Sequence, residues 1–235
     1  MSRLGIVTGM LTEAACLGAA AENSDLDRPL IYCAGASADR ALEGARQLVE
    51  SGVAGLVSFG IAGGLDPDLH PGALMVPAVV IAPDGSRLET DAPWRGRLMA
   101  ALAGQSARFP QGVAEGPLAG SAEVVATPAD KVRLLERTGA QAVDMESHAV
   151  AGAAAAAGLP FLAIRCVADR AQRALPRAVL GGVGPEGRVR VLAVVVGILR
   201  SPGELGGVLT LARDSRRALS CLRRVALLAG PRFGL

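Results

Sequence analysis

Glu146, at the end of Val143-Asp144-Met145-Glu146, and Asp169, closing the run Phe161-Leu162-Ala163-Ile164-Arg165-Cys166-Val167-Ala168-Asp169, are carboxylates set in a chain dominated by Ala, Gly, Val and Leu. Carboxylates so placed can serve acid–base chemistry or hold hydroxyl groups. The run from Phe161 to Val167 reads as a buried strand of a parallel sheet. Open α/β sheets bind ligands beyond the carboxyl ends of their strands, which aims Asp169 at a ligand crevice. Glu146 opens the next helix after a short strand, Ala142 to Asp144, and can sit on the same rim. Glu13 near the N-terminus and the loop Gly60-Ile61-Ala62-Gly63-Gly64-Leu65 complete the set. Each has a bland alternative. Asp169 could be an ordinary strand-end acceptor, and Glu146 and Glu13 could be first-turn helix acids that complement a dipole.

The elements that must position these groups alternate between strand and helix. Leu4 to Thr8 reads as a strand, Leu11 to Glu22 as a helix and Leu30 to Cys33 as a second strand. Ser37 is the expected N-cap of a helix over Ala38 to Ser51. Ala54 to Phe59 is a buried strand that delivers the glycine loop. Leu74 to Ile81 reads as one strand with Pro77 marking an edge or a bend. Trp94 to Leu102 is helical, Gly104 to Gly116 is loop, and Pro117 to Ala126 carries a strand. Thr127-Pro128 starts a helix ending near Thr138. Arg170 to Arg188 is polar and Gly/Pro-rich, long enough for a lid. Two helices, near Val189 to Leu199 and Glu204 to Leu228, finish the chain. The expected fold is α/β, a three-layer αβα arrangement with a mostly parallel central sheet and extra C-terminal helices. Residues 1–200 form the catalytic domain, and 201–235 an Arg-rich helical extension of the same domain.

Composition narrows the function classes. A hydrophobic content of 51% with 20% charged residues excludes a disordered chain. Residues 201–235 carry six arginines against Glu204 and Asp214, a net of +4, which leaves −2 for residues 1–200 of a chain at +2 overall. With aromatics at 3%, the basic residues lack the stacking partners of a nucleic-acid surface, and no nucleic-acid partner is expected. Cys16, Cys33, Cys166 and Cys221 show no Cys-x-x-Cys spacing, a reduced, cytoplasmic pattern. His70 and His148 are the two histidines and give no metal-ligand cluster; His148, on the Ala-rich helix two residues past Glu146, reads as structural. Glu13 interrupts the N-terminal apolar stretch before a signal-peptide core could form. Val191 to Leu199 is too short for the ~20 residues of a membrane span.

In that order along the chain, Gly5-Ile6-Val7 through Glu13, the Gly60 to Leu65 loop with Gly72-Ala73-Leu74-Met75-Val76 behind it, Val143 to Glu146, and Arg165 to Asp169 resemble the nucleoside phosphorylase superfamily, in particular its nucleosidase branch. The matching pieces span about the first three-quarters of the chain. Gly184-Pro185-Glu186-Gly187-Arg188-Val189, Ser201-Pro202-Gly203-Glu204-Leu205 and the Arg-rich end look like the hopanoid-associated phosphorylases. The resemblance implies catalytic roles for Asp169, as the acid that gives a proton to purine N7, and for Glu13, as the carboxylate that orients the nucleophile. It implies that Glu146 accepts hydrogen bonds from the ribose hydroxyls, that Met145 and Met10 pack near the sugar, and that Val124 and Val125 face the base. Gly60, Ile61, Ala62 and Gly63 would border the nucleophile, although the loop lacks the Gly-x-Gly-x-x-Gly spacing of a dinucleotide site. Ile61 stands where nucleosidases commonly carry Ser, and Ser58 where many phosphorylases carry a phosphate-binding Arg.

The expected activity is cleavage of the N-glycosidic bond of a purine nucleoside, with adenine released from adenosylhopane. Water or phosphate is the acceptor, phosphate as a co-substrate, and no cofactor is needed. The alternatives are a nucleosidase for methylthioadenosine or adenosylhomocysteine and a catalytically idle nucleoside-binding protein. A lipid-linked nucleoside would call for an apolar mouth at the sugar's 5′ end and access to a membrane, which the Arg-rich helix could contact at the cytoplasmic face. Relatives are commonly dimers or larger, so a homo-oligomer is expected.

Overall fold

The computed structural model describes residues 3–18, 28–180, 187–188, 196 and 201–235. Ten strands form one sheet: β1 (Gly5–Thr8), β2 (Leu30–Cys33), β3 (Leu56–Gly64), β4 (Leu74–Met75), β5 (Val79–Ile81), β6 (Arg87–Glu89), β7 (Val113–Ala114), β8 (Leu118–Gly120), β9 (Ala142–Asp144) and β10 (Phe161–Asp169). The helices are α1 (Leu11–Leu17), α2 (Ala38–Glu50), α3 (Ala92–Ala103), α4 (Pro128–Thr138), α5 (Ser147–Ala157) and α6 (Leu205–Ala229). β3 and β10 are the two longest strands and run parallel side by side, with β1 beside β3 and β2 beyond it. β9 pairs antiparallel with the far end of β3, and β8 and β5 continue parallel from it.

The sheet is a core layer because its strands are apolar on both faces. Along β10, Leu162, Ile164, Cys166 and Ala168 join one cluster with α1, α3 and α6, while Phe161 and Ala163 join the opposite cluster with α2 and α5. This period-2 split is what an apolar run with no polar face must produce. Arg165 falls on the α5 side, which is where its charge has to be matched.

Local chemistry sets the element ends. The Ser37 hydroxyl accepts from Arg40 N–H to cap α2, and the Thr127 hydroxyl accepts from Asp130 N–H to cap α4, with Pro128 at its first position. Gly139 and Gly158 close α4 and α5 in the left-handed conformation that glycine adopts without a Cβ penalty.

Several boundaries differ from the sequence expectation. Leu74 to Ile81 is two strands, because Pro77 has no N–H for a ladder; β4 pairs with β10 and β7, and β5 with β6 and β8. The stretch taken as loop between Gly104 and Gly116 holds a short 3-10 turn and β7. α1 ends at Leu17. The helix expected near Val189 to Leu199, and most of the lid-length loop's far end, lie outside the described residues.

The helix at the C-terminus belongs to the same core. Ala218, Cys221, Leu222, Val225 and Ala226 of α6 are buried against the sheet. The tail beyond is tied down by Trp94 Nε1 donating to the Phe233 carbonyl at 2.8 Å and Arg97 Nε donating to the Gly234 carbonyl at 2.6 Å. No helix of the described residues is long and apolar enough to cross a membrane.

Candidate active site

The strand ends surround a cavity of about 210 Å³, lined from four directions. Gly9, Met10 and Glu13 come from the β1–α1 corner, and Ile61, Ala62 and Gly63 from β3. Val143 to Glu146 come from β9 and the head of α5, and Ala168 and Asp169 from the end of β10. Val124, Val125 and Leu175 close the remaining side. Of the residues expected at a site, Gly60 alone is outside the lining. A Cβ built on Gly60 would lie 2.4 Å from Arg165 Nη1 and 2.7 Å from Glu13 Oε1. Gly60 thus makes room for two buried charged side chains, Glu13 in the cavity lining and Arg165 behind it.

Glu13 caps a helix and lines the cavity at once. Its Oε2 accepts from the N–H groups of Gly9 and Met10, both at 2.8 Å, at the start of α1. Its Oε1 accepts from Ile61 N–H at 2.9 Å, across on β3. Burial nevertheless raises its pKa, against the opposing pull of Arg165 and those three amides.

Glu146 reaches the cavity because another residue caps its helix. Asp144 accepts from Ser147 N–H at 3.2 Å and from the Ser147 hydroxyl at 2.5 Å, so the Glu146 side chain is not used as the cap. Gly9 admits it closely: a Cβ there would stand 2.7 Å from Glu146 Oε1 and 3.4 Å from Glu13 Oε2. Burial pushes the Glu146 pKa up to about 8, opposed by Arg165 and reinforced by Asp144 and Glu13.

Arg165 holds this end together. It is fully buried, 2.5 Å from Asp144 Oδ2 and 3.5 Å from Glu146 Oε2, and it donates to the Ser58 hydroxyl at 2.5 Å and the Ser147 hydroxyl at 3.1 Å. Its Nη1 is buried with no hydrogen-bond partner among the described residues and lies on the Glu13 side. Burial works against its charge, yet Asp144, Glu146 and Glu13 together outweigh that and raise its pKa.

Asp169 sits at the other end of the cavity. The β3–β10 register shifts between Val167 and Asp169, an irregularity of the kind that re-aims a side chain beside a site. Its Oδ1 lies 3.3 Å from where a Gly63 Cβ would be. Its Oδ2 accepts from Lys131 Nζ in a buried ion pair. Burial raises the Asp169 pKa, and Lys131 is the main opposing influence.

Residues 29–200 match the phosphorylase superfamily. The chain belongs to that superfamily. No curated relative matches the sequence. Among solved structures, a 5′-methylthioadenosine/S-adenosylhomocysteine nucleosidase from Neisseria meningitidis in complex with methylthio-immucillin-A is similar at 16% identity. The likeness covers 97% of this chain and 99% of that one, with a TM-score of 0.73. The futalosine hydrolase of Helicobacter pylori strain 26695 is similar at 15% identity over 95% and 97% of the two chains, with a TM-score of 0.70. At such identities the likeness shows a shared fold.

The superfamily member described here carries three site features that the sequence reading passed over. Lys131 is the only lysine in a chain with 24 Lys and Arg residues, and that rarity was the available signal. Arg165 was placed in a buried strand, as it is, but its Asp144 and Glu146 partners are set by register across elements. Ala36, which lines the cavity, holds a φ of 54° unusual for a residue with a side chain; nothing local in the sequence announces it. A larger open groove of about 700 Å³ runs beside α6, lined by Arg108, Arg213, Arg216, Arg217 and Arg224 together with Leu209. It contains no acid–base pair and is separate from the cavity.

Proposed function

We propose that this chain hydrolyses the N-glycosidic bond of a purine nucleoside, with adenosylhopane, as the hopanoid resemblance implies, the substrate and adenine the leaving base. The observation that carries this reading is the distribution of carboxylates: Glu13 and Glu146 meet at one end of a single small cavity, and Asp169 stands at the other. A ribosyl group between them would have an acid toward the base and two carboxylates toward the sugar and the incoming nucleophile.

In this scheme Asp169, kept protonated to higher pH by burial, gives its proton to N7 as the C1′–N9 bond breaks. The bonding pair leaves with a neutral base. Glu146 accepts from the ribose hydroxyls, which as donors favour its ionised form, and that charge stabilises the oxocarbenium character at C1′. Water adds to C1′ and passes its proton to Glu13. The similar structures are those of a nucleosidase and a hydrolase, which is in keeping with water as acceptor.

A specific feature favours water over phosphate. Among the described residues, the charged ones lining the cavity are Glu13, Glu123, Asp144, Glu146 and Asp169, all acids. The buried cations behind it are already paired, Arg165 with Asp144 and Lys131 with Asp169. A phosphate dianion would find no unpaired counter-charge among these groups, and neutral water needs none. The cavity is below the ~300–1,000 Å³ usual for ligand pockets, so a bulky 5′ substituent has to extend out of it; Met10 lines the cavity and its neighbour Leu11 is exposed. Since α6 uses its apolar face internally, contact with an anionic membrane would fall to the arginine groove.

The test is adenine release from adenosylhopane and from methylthioadenosine, with and without phosphate, with the sugar product identified by mass. Phosphate-independent release of the free sugar, faster with adenosylhopane, is the expected result. A ribose 1-phosphate product, or no adenine at all, would overturn the proposal.

A further inference from the structure

Lys131 is in an unfavourable place. It lies in the first turn of α4, where the helix dipole disfavours a cation, and it is fully buried, which lysine seldom tolerates unless paired. An ammonium has three N–H donors, and all three are directed to one short segment. They go to Asp169 Oδ2, to the Arg170 carbonyl at 2.8 Å and to the Arg173 carbonyl at 3.2 Å. The side chain does not line the cavity.

We infer that Lys131 is the positioning residue for Asp169: its ammonium engages one carboxyl oxygen so that the other faces the cavity, and it pins the segment closing that end of the site. The inference rests on Asp169 being the acid of the proposed hydrolysis. Two separate geometric facts support it. With Oδ2 committed to Lys131, Oδ1 is the oxygen nearer to cavity-lining Gly63, 3.3 Å from its Cβ position against 3.8 Å for Oδ2. The segment held by the two carbonyl contacts runs on to Leu175, a cavity-lining residue whose N–H donates to the Ala126 carbonyl at 2.8 Å, next to Val125. One ammonium therefore joins α4, the acid and the wall around Val124 and Val125.

The electrostatic consequence has a definite sign. Burial raises the Asp169 pKa, Asp214 raises it further, and Lys131 with Arg173 pulls it back. Asp169 acts in its protonated form, so the high-pH limb of kcat/KM follows its ionisation. Removing the ammonium moves that limb to higher pH; keeping a cation in its place does not.

The experiment measures pH profiles of adenine release for wild type, Lys131→Met, Lys131→Gln and Lys131→Arg, with circular dichroism to establish folding. In a folded neutral variant the high-pH limb is expected to rise by at least about one unit, the lower end of the effect of an adjacent opposite charge on a carboxylate. The kcat is expected to fall about tenfold or more as the acid loses its alignment, with a smaller change in KM. Lys131→Arg is expected to keep the limb near its wild-type position. Either neutral variant suffices, since glutamine retains two N–H donors should methionine prevent folding. Asp169→Asn separates the two levels of the argument. If the limb persists in Asp169→Asn, Asp169 is not the acid and the proposed reaction fails. If the limb is absent there but unmoved in a folded neutral Lys131 variant, the positioning role fails while the reaction stands.

Discussion

The two ends of the cavity keep buried charge by opposite means. At the Glu13–Glu146 end, Arg165 is shared among Asp144, Glu146, Ser58 and Ser147, with Glu13 close by and held by three backbone amides. Five elements contribute, β3, β9, β10, α1 and the head of α5. At the Asp169 end the main contact is one ion pair to one helix. The difference teaches that the first end is built into the fold, whatever chemistry the proposed reaction asks of it. The second is a carboxylate held mainly by a single ion pair.

The sharpest break in that comparison is Asp169→Asn. The amide still offers Lys131 an oxygen, so the protein should stay folded while adenine release falls about 10²–10⁴-fold, the range for loss of a general acid. Activity within threefold of wild type would remove Asp169 from the mechanism. At the opposite end, Arg165→Met should act on stability first. Taking one partner from a buried ion pair strands the rest, at a cost of about 3–5 kcal/mol. Urea denaturation measures it, and a loss below about 1 kcal/mol would mean that the network is not structural.

Glu146→Gln probes the boundary between the two behaviours. Turnover at saturating substrate should fall about 10²–10³-fold, as for removal of a preorganised electrostatic partner; a rise in KM alone would make it a ground-state ribose binder. The same variant should also alter the pH dependence of stability. With a pKa raised by burial to about 8 from the ordinary 4.5, Glu146 in the folded state holds a proton that the unfolded chain has lost. Stability of the free protein therefore declines as pH rises from about 4.5 through 8. Glu146→Gln should flatten that decline in Tm, and an unchanged slope would place the titration elsewhere.

The smallest expected effect lies outside the cavity. Replacing Arg108, Arg213 and Arg216 of the α6 groove with Gln should weaken salt-sensitive binding to vesicles containing anionic lipid by roughly 1 kcal/mol per residue. Turnover of a soluble adenosine analogue should not change. Absence of vesicle binding by the wild type at low salt would leave α6 as a structural helix alone.

The sequence disclosed what is written locally. An apolar run ending in Asp169, an acid at the head of a helix, and glycines after a strand are each readable within about ten residues, because strand burial and capping are short-range rules. The caps at Ser37 and Thr127 were legible for the same reason. What stayed hidden depends on register. Lys131 meets Asp169 across 38 positions of chain, and the helix around it has an ordinary amphipathic pattern. Arg165 was visible, but its partners are fixed by which face of β10 meets α5. The split at Pro77 and the strands β6 and β7, of three and two residues, carry too little pattern to separate from loop.

The central claim is a division of labour, an acid at the base end and electrostatic support at the sugar end. A leaving group that needs no protonation tests it most directly. Wild type, Asp169→Asn and Glu146→Gln should be compared on adenosylhopane and on a 4-nitrophenyl riboside bearing the same 5′ substituent. Asp169→Asn is expected to lose about 10²-fold or more on the nucleoside yet keep nitrophenol release within about tenfold of wild type. Glu146→Gln should be impaired on both, since both pass through a charged sugar. Equal losses by Asp169→Asn on the two substrates would contradict the account.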